Sequence, residues 1–152
     1  MDIRIVLTLS VLLSVVKPAC AQEPVEWDYT VRSLSADTYE VRISARIQDG
    51  WHLYAEKQPE DAIALPTKIE FVKNPVLELK GAIKEEGQLD RFVDPNLGIA
   101  ANQYHHKVDF VQVIKLKMKA QVKISGTIQF QVCNEQECLP PAVTHFSIPI
   151  RE

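Results

Sequence analysis

The sequence holds no apolar run long enough to cross a bilayer, no excess of basic residues, no internal repeat and only three cysteines in 152 residues. Each shortage removes a class of function. A membrane-spanning helix needs about 20 apolar residues, and the longest run, "IVLTLSVLLSVV" at residues 5–16, has twelve. With 17 Lys and Arg against 20 Asp and Glu, the formal net charge is −3. That argues against nucleic acid as a partner, because such binders present a basic face. No self-similarity at solenoid-like periods is present, and no stretch has the spacing of an amphipathic helix. What remains is one domain's length of ordinary globular composition, 46% hydrophobic and 24% charged.

The twelve-residue run follows "MDIR" and precedes "KPACAQ", with Ala19 and Ala21 in an A-x-A arrangement. This is the pattern of a secretory signal peptide. The expected division is a leader over 1–21, cleaved after Ala21, and a mature domain over 22–152. A lipoprotein cut before Cys20 is the rival, disfavoured because Lys17 and Pro18 stand where that site wants an apolar and a small residue. Cleavage leaves two cysteines, Cys133 and Cys138, and no membrane span in the mature chain. The expected location is periplasmic or secreted, where a disulfide persists.

The mature chain alternates with period two, the mark of half-buried strands. Val25, Trp27, Tyr29 and Val31 share a face, as do Tyr39, Val41, Ile43, Ala45 and Ile47. Val108, Phe110, Ile114, Leu116 and Met118 form another set, followed by Val122, Ile124, Ile128, Phe130 and Val132, then Phe146, Ile148 and Ile150. Gln48–Gly50 is a turn signal before "WHLYA". Residues 56–66 read as a loop, "TKIEFV" and "VLELKG" as short strands. Residues 84–104, with Gly87, Pro95, Gly98 and weak alternation, read as one long loop. Seven to nine short strands predict an all-β fold, an immunoglobulin-like antiparallel β-sandwich.

"QVCNEQECLPPAV" places the two cysteines at the expected tip of a hairpin made by the last two strands. Three readings stand. As a staple, the bond closes a loop of about six residues and is worth roughly 2 kcal/mol. As a metal clip, C-x₄-C lacks a second cysteine pair, and His105 and His106 point to opposite faces of a strand. At best one of them or His145 would join the cysteines, so no metal or other cofactor is expected. The third reading is a reversible dithiol. Glu135 and Glu137 lie in the loop, and no Lys or Arg occurs between Lys123 and Arg151. Negative neighbours disfavour a thiolate, which suits a relay whose disulfide is attacked by a partner's thiolate.

"GTIQFQVCNEQECLPPAVTHFSIPI" resembles the end of the periplasmic N-terminal domain of the DsbD family of membrane thiol–disulfide reductases: a strand, Cys, a short loop, Cys, an aromatic or Leu, Pro-Pro, and a final strand. "QDGWHLYA" (Gln48 to Ala55) resembles a second family element, "DG-x-x-L-Y". The likeness spreads over about residues 25–150. It implies an immunoglobulin-like sandwich carrying redox cysteines, Cys133 and Cys138, that exchange disulfides with thioredoxin-like domains, with Cys138 as the attacked sulfur. His52 and Tyr54 match positions that pack around the cysteines, His standing where the family has Tyr; plain core packing is the competing reading of Trp51 and Tyr54. The family's cap loop, an acidic pair followed by aromatics, is matched by Glu85 and Glu86, with Phe92 as the cap aromatic. "GQLDRF" departs from that pattern, and a solvated acidic loop is the alternative. A carboxylate there would shuttle protons if burial raised its pKa.

In the family the domain continues into a membrane domain and a thioredoxin-like domain; the sequence here ends at Glu152. The expectation is a separate module relaying reducing equivalents between thioredoxin-like partners, with a separately encoded membrane electron transporter as a further partner. The competing expectation is a non-catalytic immunoglobulin-like binding module with a structural disulfide, since fold does not fix function.

Overall fold

A computed structural model of the chain describes residues 23–150 apart from positions 61, 63, 97, 119 and 120. The expected leader, its cleavage site and Cys20 lie outside the described residues. Among the described residues nine strands follow one another: β1 (Val25–Ser33), β2 (Thr38–Ile47), β3 (His52–Tyr54), β4 (Lys68–Phe71), β5 (Leu77–Asp94), β6 (Ile99–Leu116), β7 (Val122–Phe130), β8 (Val132–Cys133) and β9 (Ala142–Ile150). The larger sheet runs β1-β2-β6-β3-β8 with β5 also on β6, and the smaller runs β4-β7-β9. Every pairing between these strands is antiparallel. The architecture is an immunoglobulin-like β-sandwich.

Alternation decides which side chains enter the space between the sheets. Val41, Ile43 and Ala45 of β2 are fully buried, as are Ile124 and Ile128 of β7 and Phe110 and Ile114 of β6. Aromatic rings bridge the layers: Trp27 stands edge-on to Phe130 at 5.2 Å between centroids, and Phe146 lies 5.8 Å from Tyr29, while within the smaller sheet Phe146 also lies 5.5 Å from Phe71. Such pairs add about 0.5–1.5 kcal/mol each beyond the area they bury. Met118, expected on the inner face of its strand, is 58% exposed, because β6 ends at Leu116.

The segment 84–104 is not a loop. It forms most of the outer half of a long hairpin, with β5 and β6 of 18 residues each and a turn between Asp94 and Ile99 where Gly98 takes φ +65°. The weak alternation has a physical origin. Among the described residues β5 pairs only with β6, and it leaves side chains exposed on both faces along most of its length. A strand with no buried face has no reason to alternate, and its backbone ladder is invisible to hydropathy.

Strand β6 organises the site. Its second half pairs with β2 from Lys107 to Lys115, and its first half pairs with β3 through Tyr104 and Gln103. The ladder slips near the change-over, between Gly87 and Leu89 on β5, and His106 there adopts φ +61°. Such bulges bend a strand and re-aim its side chains.

In the smaller sheet, β7 lies between β4 and β9, and Gly126 is pressed from both sides. A β-carbon there would stand 2.3 Å from the Glu70 carbonyl oxygen and 2.4 Å from the Phe146 ring. Gly126→Ala is expected to destabilise the domain by about 1–3 kcal/mol, as overpacked core sites do. Urea unfolding checks this; an unchanged midpoint would contradict the packing described.

Candidate functional site

β7 and β9 pair from Val122↔Ile150 to Phe130↔Ala142, making the expected hairpin, and the cysteine segment is the connection between them. That connection does not project freely. Val132 and Cys133 cross to the larger sheet and pair with β3, Leu53↔Val132 and His52↔Cys133. Cys133 and Cys138 are joined by a disulfide. The turn between them is held by its own hydrogen bonds. Asn134 N–H donates to Glu137 O at 2.9 Å and Leu139 N–H to Val132 O at 3.0 Å. The Asn134 side-chain oxygen accepts from the N–H groups of Gln136 and Glu137, both at 2.8 Å. This is the local Asx geometry that stabilises turns.

The two sulfurs have different surroundings. Cys133 is 1% exposed, at the floor of the pairing with β3 and on the strand face opposite the core residues Leu53 and Val132. Cys138 is exposed. The Tyr54 hydroxyl donates to Cys133 Sγ at 3.3 Å, and His52 Nε2 lies 3.4 Å from the same hydroxyl. Both side chains come from β3, two residues apart and therefore on one face. The backbone behind them is fixed: Thr67 Oγ1 donates to the Tyr54 carbonyl at 2.6 Å, and Ala55 N–H donates to the Asn102 carbonyl at 2.9 Å. Burial raises the Tyr54 phenol above its ordinary value, so it remains a hydrogen-bond donor at neutral pH.

A cleft of about 870 Å³ opens beside the disulfide. His52, Tyr54, Cys133 and Cys138 line one side, and Asp90, Phe92, Gln103 and His105 of the β5–β6 hairpin line another. Asp90 accepts from Gln103 Nε2 at 2.9 Å, and His105 Nε2 lies 3.2 Å from the same carboxylate oxygen. The His52 and His105 rings meet edge-on at 5.8 Å between centroids. These hydrogen bonds hold the Asp90 carboxyl below its usual range, Gln103 contributing most and His105 next. Among the described residues no group of three or more His, Cys, Asp or Glu is placed to hold a metal ion.

Of the residues expected at the site, Cys133, Cys138, Tyr54, His52 and Phe92 come together around the cleft. Phe92 stands at its rim, 44% exposed. Glu85 and Glu86 are not among the cleft's lining residues. Glu85 is half-buried and accepts from Glu56 N–H at 2.8 Å, with its carboxyl pushed up by burial. Glu86 pairs with Arg42 at 2.7 Å, and Arg42 also reaches Asp109 at 2.9 Å. Trp51 is partly buried against the core. Asp90 and Gln103 were not singled out by sequence, and His105 was weighed only as a metal ligand, because only the β5–β6 register brings the three together at the cleft.

The asymmetry of the two sulfurs makes a chemical prediction. In reduced protein, iodoacetamide is expected to modify Cys138 at least about ten-fold faster than Cys133, since access and thiolate character control cysteine reactivity. Peptide mass spectrometry after a timed quench reads the ratio. Equal rates, or faster modification of Cys133, would contradict the burial described.

Residues 20–149 match the family described as thiol:disulfide interchange protein DsbD, N-terminal. No curated protein matches the chain by sequence. Among solved structures, the N-terminal periplasmic domain of ScsB from Proteus mirabilis has a TM-score of 0.57 at 14% identity, covering 85% of this chain and 47% of that one. This chain thus spans about half the length of that structure, and the likeness concerns the fold. The reduced N-terminal domain of DsbD from Neisseria meningitidis has a TM-score of 0.49 at 20% identity, over 83% of this chain and 86% of that one. A complex of the DsbD and PilB N-terminal domains from the same organism has a TM-score of 0.46 at 18% identity, over 88% and 87%. Matched over nearly all its described length, the chain belongs to the family of DsbD N-terminal domains, thiol–disulfide exchange modules.

Proposed function

We propose that this domain works in the periplasm as a relay of reducing equivalents, alternately reduced by one thioredoxin-like partner and oxidised by another. A membrane electron transporter is the proposed source of the electrons. The observation that carries this reading is the inequality of the sulfurs: Cys138 is exposed, while Cys133 is buried under the Tyr54 hydroxyl.

The chemistry follows from that inequality. A partner's thiolate attacks Cys138 Sγ, forming an intermolecular disulfide and breaking the Cys133–Cys138 bond. The electron pair of the broken bond leaves on Cys133, which takes a proton. A second thiolate of the partner then attacks the partner's own sulfur and releases Cys138. The partner's dithiol has become a disulfide, and the domain's disulfide a dithiol. The same steps in reverse reduce an acceptor. A buried thiolate is costly, and a hydrogen bond to a charged group is worth about 1.5–3 kcal/mol. The Tyr54 hydroxyl therefore stabilises the leaving sulfur more than it stabilises the disulfide, which is the differential binding that speeds a step. Phe92 at the cleft rim is proposed to shield the reduced pair from stray oxidants.

The rival reading, a structural staple on a binding module, has less to explain. The turn between the cysteines already carries its own backbone and Asn134 hydrogen bonds, so the sulfur bond adds little order there.

Cys133→Ala leaves Cys138 free to form a mixed disulfide that nothing in the domain can resolve. Incubated with a thioredoxin whose own resolving cysteine is absent, with the accessible thiol pre-activated as a mixed aromatic disulfide, this variant is expected to give a covalent 1:1 complex on non-reducing gels. Cys138→Ala is expected to give at least about ten-fold less, because its remaining thiol is buried. No complex with either variant would overturn the relay.

A further inference from the structure

The negative charge that Cys133 acquires as the leaving sulfur is neutralised by a proton, and the site holds a donor chain aimed at that sulfur. Tyr54 gives its hydrogen to Cys133 Sγ at 3.3 Å. Its oxygen is then free to accept from His52 Nε2, 3.4 Å away. Both links therefore point toward the sulfur. Cys133, at 1% exposure, has little direct access to water. His52 lines the open cleft, where His105, with a side chain 41% exposed, meets its ring. A hydrogen-bonded path from the open cleft to the buried sulfur thus runs through two side chains of one short strand.

Resting on the exchange reading above, we propose that His52 is the proton donor and acceptor for the buried sulfur, acting through the Tyr54 hydroxyl, and that it makes exchange at this domain dependent on pH. When Cys138 is attacked, the Cys133–Cys138 bond breaks and Cys133 leaves with the electron pair. The Tyr54 proton moves to Cys133 Sγ and the His52 Nε2 proton moves to the Tyr54 oxygen. Charge is conserved: a thiolate and an imidazolium become a thiol and a neutral imidazole. In the oxidising direction the same path carries the proton out. Tyr54 touches the reacting sulfur and is the catalytic residue; His52 is a positioning and proton-supplying residue behind it.

The groups around His52 come from every strand packed there. Tyr54 shares its strand, Cys133 lies on β8, His105 on β6, Asp90 on β5, and Glu135 of the cysteine turn lines the same cleft. Burial pushes the His52 imidazole below its ordinary value, the neighbouring His105 pushes it further down, and Asp90 pulls it back up. The imidazolium is therefore present only in mildly acidic solution, so the acid-assisted route is strongest there and fades as pH rises through that range.

The test is the rate at which dithiothreitol reduces the oxidised protein between about pH 5 and 8, divided by the dithiothreitol thiolate fraction and read by acid quench and mass spectrometry. For the unaltered protein the normalised rate is expected to fall roughly ten-fold with rising pH, the effect of one charge-assisted hydrogen bond, with its midpoint below the ordinary histidine value. His52→Gln and Tyr54→Phe are each expected to run flat at the lower level, and the double variant to be no slower than either. His105→Gln is expected to keep the step and move it to higher pH, because a neighbouring positive charge is gone. Circular dichroism confirms folding of each variant. A step that survives in His52→Gln, or a flat profile in the unaltered protein, overturns the proton path while leaving exchange itself standing. A disulfide that dithiothreitol and reduced thioredoxin both fail to open overturns exchange and the proton path together.

Discussion

Two backbone pairings, His52↔Cys133 and Leu53↔Val132, fasten the connection between β7 and β9 to the edge of the opposite sheet. The chemistry of the site depends on them. They bury one sulfur and leave the other in solvent, although the two cysteines are only five positions apart. They also bring the Tyr54 hydroxyl onto the buried sulfur. Without them the cysteine segment would be an ordinary hairpin tip with two equivalent thiols.

The surrounding scaffold serves that junction. β6 carries β2, β3 and β5, and the long β5–β6 hairpin supplies another wall of the cleft. The wall is built from an edge strand with exposed apolar side chains, Leu89, Phe92 and Val93. Edge strands are usually blunted by charge; here charged residues at Asp90, Arg91 and Asp94 are interleaved with the apolar ones. Among the described residues no lysine or arginine lines the cleft, so a thiolate formed at Cys133 would meet the neutral Tyr54 hydroxyl, 3.3 Å away, rather than a fixed cation.

Much of this was legible in the sequence where burial imposes a period. The inner faces of β2, β7 and β9 were read residue by residue from Tyr39 to Ile47, Val122 to Phe130 and Phe146 to Ile150, because one face of each strand is buried and the other is not. The cysteine pair and Tyr54 were legible as motifs. What failed was the reading of 84–104, the rest of β5 beyond the strand start at "VLELKG" and the first part of β6, where both faces of β5 are exposed and backbone bonding defines the strand. That failure hid the rest of the site. With residues 84–104 read as a loop, nothing could set Asp90 beside His105, or His105 beside His52, and the acidic pair Glu85 and Glu86 looked free to cover the cysteines. In the structure Glu85 is tied to the backbone of Glu56 and Glu86 to Arg42.

The account's central claim is that the Cys133–Cys138 bond is poised for exchange rather than for permanence. Its equilibrium reduction potential, titrated against glutathione or thioredoxin redox buffers with the reduced fraction read by mass spectrometry, tests this most directly. A relay is expected near thioredoxin, at about −270 mV or above, with the domain folded in both states. A potential below about −300 mV, the range of structural disulfides, would contradict it.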